Sequence, residues 1–253
     1  MKNIIEVKGL CKTYIVNKIS NNVLRNIDFS LGEGEFVSVM GPSGSGKSTL
    51  LYTVSGMDRA TAGDISFQGK NYRDTNDREM AKQRLISMGF IFQQMYMMRK
   101  LCILDNILLP GFHAQLADRK TVREEAEILM RRLGIMEIAD NGINEVSGGQ
   151  LQRACLCRAL INHPKVLFAD EPTGALNSKS AGEVIRELVE VNRDGTSIMM
   201  VTHSARVAAA SERVIYLIDG HIEGELVLGK LKEDADLTQR ERQLNKWLME
   251  LDY

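Results

Sequence analysis

Apolar and polar residues alternate along the first part of the chain in patterns typical of strands. Residues 4–10 alternate enough to predict an edge strand, and residues 23–31 predict a half-exposed strand. The apolar runs at residues 36–40 and 88–92 predict buried strands, and residues 77–85 between them predict a helix. The pattern up to residue 92 therefore predicts mainly strands.

The pattern becomes helical over about residues 94–160, which predicts a helical insert. Within it, residues 104–109 predict a short helix that ends at Pro110-Gly111. Residues 120–133 carry apolar side chains at helical spacing with charges between them, so they predict an amphipathic helix. A further helix is predicted at residues 151–161.

Strands and helices alternate again after the insert. The predicted strands are residues 166–169, 197–201 and 214–218, and the predicted helices are residues 181–191 and 205–210. This alternation favours an α/β fold with a mostly parallel sheet.

A main domain of residues 1–230 is followed by a C-terminal tail of residues 231–253. The tail begins with charged residues and then has four apolar side chains at helical spacing, Leu244, Trp247, Leu248 and Leu251. This spacing predicts a helical tail. Two roles fit such a helix: docking on its own domain, or binding a partner.

Composition excludes several classes of protein. The 253 residues include 32 Lys and Arg and 33 Asp and Glu, so the formal net charge is −1. A nucleic-acid-binding protein usually has a basic excess, so we expect no nucleic acid partner. No apolar run approaches the roughly 20 residues that span a bilayer, and Lys2 and Glu6 place charge too early for a secretory signal. We expect a cytoplasmic protein that reaches a membrane only through a partner.

A glycine-rich segment lies between a predicted buried strand and a predicted helix. It reads Gly41-Pro42-Ser43-Gly44-Ser45-Gly46-Lys47-Ser48, which matches the phosphate-binding P-loop. Gly44 and Gly46 permit backbone angles that let successive N–H groups point at one anion. Lys47 brings a charge to the β and γ phosphates, and Ser48 offers its hydroxyl to Mg²⁺. We expect the segment through Thr49 to bind the phosphates of a nucleotide. A simple connecting turn is the alternative.

Two acids end the strand predicted at residues 166–169. Asp170 at the end of a buried strand would lie beside the Mg²⁺ held by Ser48, directly or through water. Glu171 points in another direction and can hold the attacking water. Many core strands also end in solvated acids, so this interpretation depends on the P-loop earlier in the chain.

A second glycine-containing segment, Ser147-Gly148-Gly149-Gln150, opens the helix predicted at residues 151–161. A helix start of this kind can bind an anion. Serine is also a good N-cap, so a capped helix after a flexible loop is the alternative.

Taken together, these motifs resemble the ABC-type ATPases. The resemblance covers residues 4 to about 220 and rests on residues in the family's order: Tyr14, Gly41 to Ser48, Gln93, Ser147 to Gln150, Asp170-Glu171 and His203. It implies a P-loop NTPase core with a mostly parallel sheet, an antiparallel β edge subdomain and the helical insert. It also implies ATP and Mg²⁺ as cofactors.

The resemblance assigns roles to residues that the motifs alone do not explain. Tyr14 would stack on adenine, with a core tyrosine at a strand end as the alternative. Gln93 would contact Mg²⁺ and the attacking water and would link the nucleotide state to the insert; Gln94 is the neighbouring candidate. His203 would hold the γ-phosphate, and Glu171 would be the general base or orient the water.

The resemblance also implies partners. In this family Ser147 and Gly149 contact the ATP of a second copy, so two chains close head to tail over two ATP molecules. An integral membrane permease subunit would receive the motion, and the chain would lie peripherally on the inner face of the cell membrane.

One residue departs from the family pattern. Asn177 stands where the family usually has an Asp, at the end of the segment Gly174-Ala175-Leu176-Asn177. This loop is expected at the dimer interface, so Asn177 bears on the hydrolysis rate or on coupling between sites. Because Lys47, Asp170, Glu171 and His203 are all present, we expect an active ATPase.

Residues 168–179 are similar to one subgroup, the ATPases of macrolide-export, lipoprotein-release and bacitracin-resistance transporters. We therefore expect a subunit that drives export or transmits force to a permease. DNA-repair and chromosome-structuring ATPases are one alternative, but the short separation of Gln93 from Ser147 leaves no room for their long coiled coils or zinc modules. An ATPase that regulates cell-wall hydrolases through a permease remains a second alternative.

Overall fold

The computed structural model describes residues 2–231 and 236–251. The strands in these residues form two sheets. In chain order the strands are β1 (Asn3–Val16), β2 (Ile19–Gly32), β3 (Phe36–Met40), β4 (Ala62–Phe67), β5 (Lys70–Asn71), β6 (Met88–Ile91), β7 (Val166–Asp170), β8 (Ser197–Val201), β9 (Arg213–Ile218) and β10 (His221–Val227).

Helices lie between and around the strands. They are α1 (Lys47–Val54), α2 (Asp77–Ser87), α3 (Ile103–Ala114), α4 (Arg119–Arg132), α5 (Gly148–Leu160), α6 (Ser178–Arg193), α7 (Ala205–Ala208) and α8 (Leu237–Glu250), with short 3₁₀ helices at Tyr72–Asp74 and Met136–Ile138. Among the described residues, no helix is both long enough and apolar enough to cross a membrane.

The larger sheet has the strand order β10-β9-β3-β8-β7-β6. Its strands pair in parallel except for β10, which is antiparallel to β9. Every residue of β3, β7 and β8 is buried, as expected for parallel strands that are covered on both faces. The predicted α/β fold with a mostly parallel sheet is therefore confirmed. Strand β10 was not predicted, because Gly224 interrupts its apolar pattern.

The second sheet is antiparallel, with the order β2-β1-β4-β5, and confirms the predicted antiparallel subdomain. The prediction of an edge strand at residues 4–10 is wrong, because β1 pairs with β2 on one side and β4 on the other. Alternation along a strand reports which face is buried, and it carries no information about the number of neighbouring strands.

Three helices, α3, α4 and α5, form the predicted helical insert and pack on one another around a shared apolar core. The amphipathic helix is confirmed as α4, in which Val122, Ala126 and Met130 are buried. The prediction that the preceding helix ends at Pro110 is wrong, because α3 continues to Ala114. Proline removes one helical hydrogen bond, but the buried face of α3 extends past it to Gly111, so packing keeps the helix intact.

The C-terminal helix α8 docks on its own domain. Leu244 and Leu248 are buried in a small apolar cluster with residues of β9 and α7. The ring of Trp247 lies edge-on to Tyr216, with 6.2 Å between ring centroids. The docked alternative for the tail is therefore confirmed for α8. Residues 232–235 and 252–253 of the predicted tail lie outside the described residues.

Candidate functional site

The P-loop follows β3 at the carboxyl edge of the larger sheet and ends at the first turn of α1. Gly44 and Gly46 have φ values of 82° and 100°, as predicted for a loop that turns its N–H groups inward. Gly41 has a φ of 149°, and a Cβ atom there would lie 2.0 Å from the carbonyl oxygen of Leu217. Position 41 therefore also requires glycine because the loop packs closely against the end of β9, where a side chain would not fit.

Lys47 lies across the loop that contains it. Its ammonium group donates hydrogen bonds to the carbonyl oxygens of Gly41 (3.0 Å) and Pro42 (2.7 Å). Burial lowers the pKa of Lys47 below its usual value, against the opposing effect of the Glu171 and Asp170 carboxylates. The ammonium thus lies in the loop, near two acids, where it can bind phosphate oxygens.

Ser48 and Asp170 meet where α1 begins and β7 ends. The Ser48 hydroxyl donates to Oδ1 of Asp170 at 2.9 Å, and Asp170 is only 2% exposed. The second oxygen, Oδ2, accepts a hydrogen bond of 2.7 Å from the phenol of Tyr52. Tyr52 was not predicted as a site residue. The signal was present, because Ser48 and Tyr52 are four residues apart and so share one face of α1.

The oxygens of Ser48 and Asp170 suit Mg²⁺, which prefers oxygen ligands. Within the described part of the chain, no group of three or more His, Cys, Asp or Glu residues could hold a metal ion. That is compatible with Mg²⁺, which is usually bound by one or two carboxylates together with substrate phosphates and water. The residues present therefore fit this ion as a partner of a bound nucleotide.

Glu171 and His203 follow adjacent parallel strands, β7 and β8, and meet at the same edge of the sheet. The Nδ1 atom of His203 lies 2.9 Å from Oε1 of Glu171. The other oxygen, Oε2, is buried and has no hydrogen-bond partner among the described residues. Glu171 also has a φ of 47°, a strained conformation for a residue with a side chain. Such strain is common at functional sites.

A cavity of about 470 Å³ brings most of the predicted residues together. Gln93 lines it and Gln94 does not. The lining residues are Val23, Gly41, Ser43, Gly44, Gly46, Lys47, Ser48, Thr49, Gln93, Glu171, Gly174, Val201 and His203.

Tyr14 lies on β1 and is 37% exposed, so it is not the core tyrosine of the alternative interpretation. Its phenol donates to Oδ2 of Asp58 at 2.6 Å, and the ammonium of Lys12 lies 4.6 Å from its ring centroid. Burial, followed by the hydrogen bond and charge of Asp58, raises the pKa of Tyr14. Tyr14 is not among the residues that line the 470 Å³ cavity.

The segment Ser147 to Gln150 lies outside this cavity. Ser147 caps α5, and its hydroxyl accepts from the Gln150 N–H at 3.3 Å while the Gln150 side chain accepts from the Ser147 N–H at 2.9 Å. The side chains of both residues are thus engaged within their own helix start. Ser147 and Gly148 are nevertheless exposed.

Asn177 caps the neighbouring helix α6. Its side-chain oxygen accepts a hydrogen bond of 3.0 Å from the N–H of Ser180. The side chain of Ser180 also limits the space at Gly149, where a Cβ atom would lie 2.8 Å from the serine hydroxyl. The starts of α5 and α6 are therefore in close contact.

The fold and the P-loop site define a nucleotide-binding domain of the P-loop NTPase class. The profile of the ABC transporter family matches residues 24–174. The chain belongs to this family, and it contains the ATPase domain of an ABC transporter.

Similar proteins and structures agree with this assignment. The chain is 41% identical over 222 residues to the macrolide export ATP-binding/permease protein MacB of Escherichia coli; the match covers 88% of this chain and 34% of that protein, so the chain spans about a third of MacB. It is 41% identical over 227 residues to the bacitracin export ATP-binding protein BceA of Halalkalibacterium halodurans, covering 89% of each. The structure of the dimeric ATP-binding cassette MJ0796, in a post-hydrolysis state bound to ADP and Pi, has a TM-score of 0.84 and 36% identity, covering 90% of this chain and all of that one.

Proposed function

We propose that this chain binds ATP with Mg²⁺, hydrolyses it, and dimerises on ATP to drive a membrane permease. The observation that carries the proposal is the convergence of Lys47, Ser48, Gln93, Glu171 and His203 on one cavity of about 470 Å³, with Asp170 hydrogen-bonded to Ser48 behind it. Each residue type matches a step of phosphoryl transfer to water.

The N–H groups of the P-loop and the ammonium of Lys47 bind the β and γ phosphates. Ser48 and Asp170 hold Mg²⁺, which neutralises phosphate charge when it is bound. Tyr14 supplies an aromatic face for the adenine base. These residues bind and orient the nucleotide.

Glu171 orients the attacking water and accepts its proton through a carboxylate whose Oε2 has no partner among the described residues. His203 holds Glu171 through Oε1 and contacts the γ-phosphate. Gln93 contacts the water and the metal from the start of the insert. Its position, next to the segment that leads into α3, allows it to report the nucleotide state to the insert.

The position of the segment Ser147 to Gln150 supports a shared site. This helix start has exposed residues and lies outside the cavity of its own chain. In the proposed head-to-tail dimer, its N–H groups bind the γ-phosphate held by the partner copy. Each phosphate then bridges two chains, so binding closes the dimer and hydrolysis opens it.

The partner that receives this motion is an integral membrane permease, and the chain lies on the cytoplasmic face of the membrane. The names of the relatives, macrolide export for MacB and bacitracin export for BceA, support export or force transmission. They do not support the alternative of a cell-wall hydrolase regulator.

The dimer is tested by measuring molar mass by light scattering with ATP and Mg²⁺. Glu171→Gln is expected to bind ATP without turnover and to give the mass of two chains of 28.3 kDa each. In the Glu171→Gln background, the additional substitution Ser147→Arg is expected to leave ATP binding intact, because Ser147 lies outside the cavity of its own chain. The double variant is expected to remain a monomer, because Ser147 belongs to the proposed contact with the partner copy. Monomeric Glu171→Gln at saturating ATP would contradict the shared site.

The permease is tested by purifying the tagged chain from its own cells in detergent. We expect an integral membrane protein to co-purify and to raise the ATPase rate when the two are reconstituted. Recovery without any integral membrane protein would contradict the permease partnership while leaving the ATPase proposal intact.

A further inference from the structure

Tyr52 is hydrogen-bonded to the carboxylate that would face the metal. Its phenol lies 2.7 Å from Oδ2 of Asp170, and Ser48 lies 2.9 Å from Oδ1. Asp170 is 2% exposed, so little water reaches either oxygen. A buried carboxylate needs partners for both oxygens, and two side chains of α1 supply them.

The ring of Tyr52 is itself held by other aromatic rings. It lies 6.4 Å from the ring of Phe92, the residue before Gln93. Phe92 stacks on Phe90 (5.9 Å), and Phe90 stacks on Phe168 (5.5 Å), two residues before Asp170 on β7. The ring of Tyr52 therefore packs on Phe92, and through it on rings of β6 and β7, the strand that precedes Gln93 and the strand that ends in Asp170.

The phenol acts as the donor in this contact. A phenol carries a proton that it can donate, whereas an ionised carboxylate can only accept a hydrogen bond. Tyr52 is therefore the donor, and Asp170 accepts through Oδ2.

We propose that Tyr52 is a positioning residue for the metal site. Its hydroxyl holds Oδ2 of Asp170, so that only Oδ1 is left to face Mg²⁺ or its bound water. The two oxygens then have separate partners, and the carboxylate cannot rotate to bind the ion through both. Groups that orient a metal ligand in this way typically change metal affinity by about 10-fold to 100-fold when they are removed. Tyr52 has this role only if the chain binds Mg²⁺ with ATP, as proposed above.

The test is Tyr52→Phe, which removes the hydroxyl and keeps the ring. Binding of a non-hydrolysable ATP analogue, the β,γ-imido compound, is measured by calorimetry over a range of Mg²⁺ concentrations and in EDTA. We expect the Mg²⁺ concentration at half-saturation to rise about 10-fold. Affinity in EDTA is expected to stay unchanged, because the P-loop contacts to the phosphates are intact.

The matched control is Tyr72→Phe. Tyr72 also loses a phenolic hydrogen bond in this variant, but its acceptor is the carbonyl oxygen of Val54 at 2.9 Å and not Asp170. We expect its Mg²⁺ dependence to equal that of the wild type. Spin resonance of bound Mn²⁺ gives a second readout, and its spectrum is expected to change in Tyr52→Phe alone.

The outcomes separate this role from the proposed function. An unchanged Mg²⁺ dependence in Tyr52→Phe, or an equal shift in Tyr72→Phe, overturns the positioning role. Tighter binding of Mg²⁺ also overturns it. Failure of the wild-type chain to bind the analogue under any condition would instead overturn the proposed ATP-binding function.

Discussion

The imidazole of His203 and the carboxylate of Glu171 form one hydrogen-bonded pair, 2.9 Å between Nδ1 and Oε1, at the open end of the larger sheet. The Glu171 side chain is 12% exposed and the His203 side chain 71% exposed, so the pair extends from the buried part of the site towards solvent. It forms because β7 and β8 are adjacent and parallel, with Asp170 opposite Val201. A carboxylate that is hydrogen-bonded on one oxygen and has no partner among the described residues on the other suits the orientation of water.

The pair is expected to act as a unit in hydrolysis. Glu171→Gln and His203→Ala are each predicted to lower steady-state phosphate release by roughly 10²-fold to 10⁴-fold at saturating ATP. The double variant should be about as slow as the slower single variant, because residues that act together are not additive.

The control for these single and double variants is another His–Glu pair, His163 and Glu125. It lies outside the cavity, with 3.5 Å between Nε2 of His163 and Oε1 of Glu125. His163→Ala and Glu125→Gln should keep the wild-type rate. Fully additive losses at Glu171 and His203 would argue that the two residues act independently.

Lys47→Ala is predicted to weaken ATP binding by about 10-fold to 100-fold. This is the change in affinity that corresponds to losing one hydrogen bond to a charged group, which contributes roughly 1.5–3 kcal/mol. The reason is that the phosphates lose the cation that lies in the loop. Calorimetric titration with ATP and Mg²⁺ measures the change. Lys120→Ala is the control, since its side chain is 87% exposed on α4, and an equal loss there would refute the assignment of Lys47.

Asn177→Asp is predicted to keep ATP affinity and to raise turnover by up to about tenfold, a change of roughly 1.4 kcal/mol in the barrier. Asp restores the residue that the family usually has at this position. The cap on α6 should survive, because Asp and Asn cap helices equally well and Asn177 acts through its side-chain oxygen. Steady-state kinetics against ATP concentration measure both quantities.

Asn177→Ala separates the cap from the charge. It is expected to lower the free energy of unfolding by about 1 kcal/mol through loss of the cap. If Asn177→Asp has wild-type turnover, the departure from the family pattern is neutral for hydrolysis.

Leu244→Ala is predicted to lower the free energy of unfolding by about 2–5 kcal/mol, because the side chain is fully buried between α8 and the domain. Urea denaturation measures this loss. Met249→Ala is the matched control on the same helix; its side chain is 73% exposed, so a change within about 0.5 kcal/mol is expected. Equal effects of the two substitutions would contradict the docked position of α8.

Local patterns were sufficient to predict much of this protein. The P-loop, the capped start of α5 and the apolar strands at β3, β7 and β8 are each encoded by a few neighbouring residues, whose propensities and spacing act over one or two turns. The positive φ values of Gly44 and Gly46 follow from such a pattern. The roles of Tyr14, Gln93 and His203 were inferred from family order, since a single Tyr, Gln or His has no distinctive local signal.

Other features depend on contacts between distant parts of the chain. The continuation of α3 past Pro110 and the central place of β1 in its sheet depend on packing and pairing partners that no local window contains. The same is true of the bond from Tyr52 to Asp170, which joins residues 118 apart in the sequence. Residue types and their spacing thus indicate which chemistry is available. Which oxygen accepts a hydrogen bond from which donor is decided only by the packed sheet and helices, because a hydrogen bond requires its two atoms to lie within about 3 Å of each other.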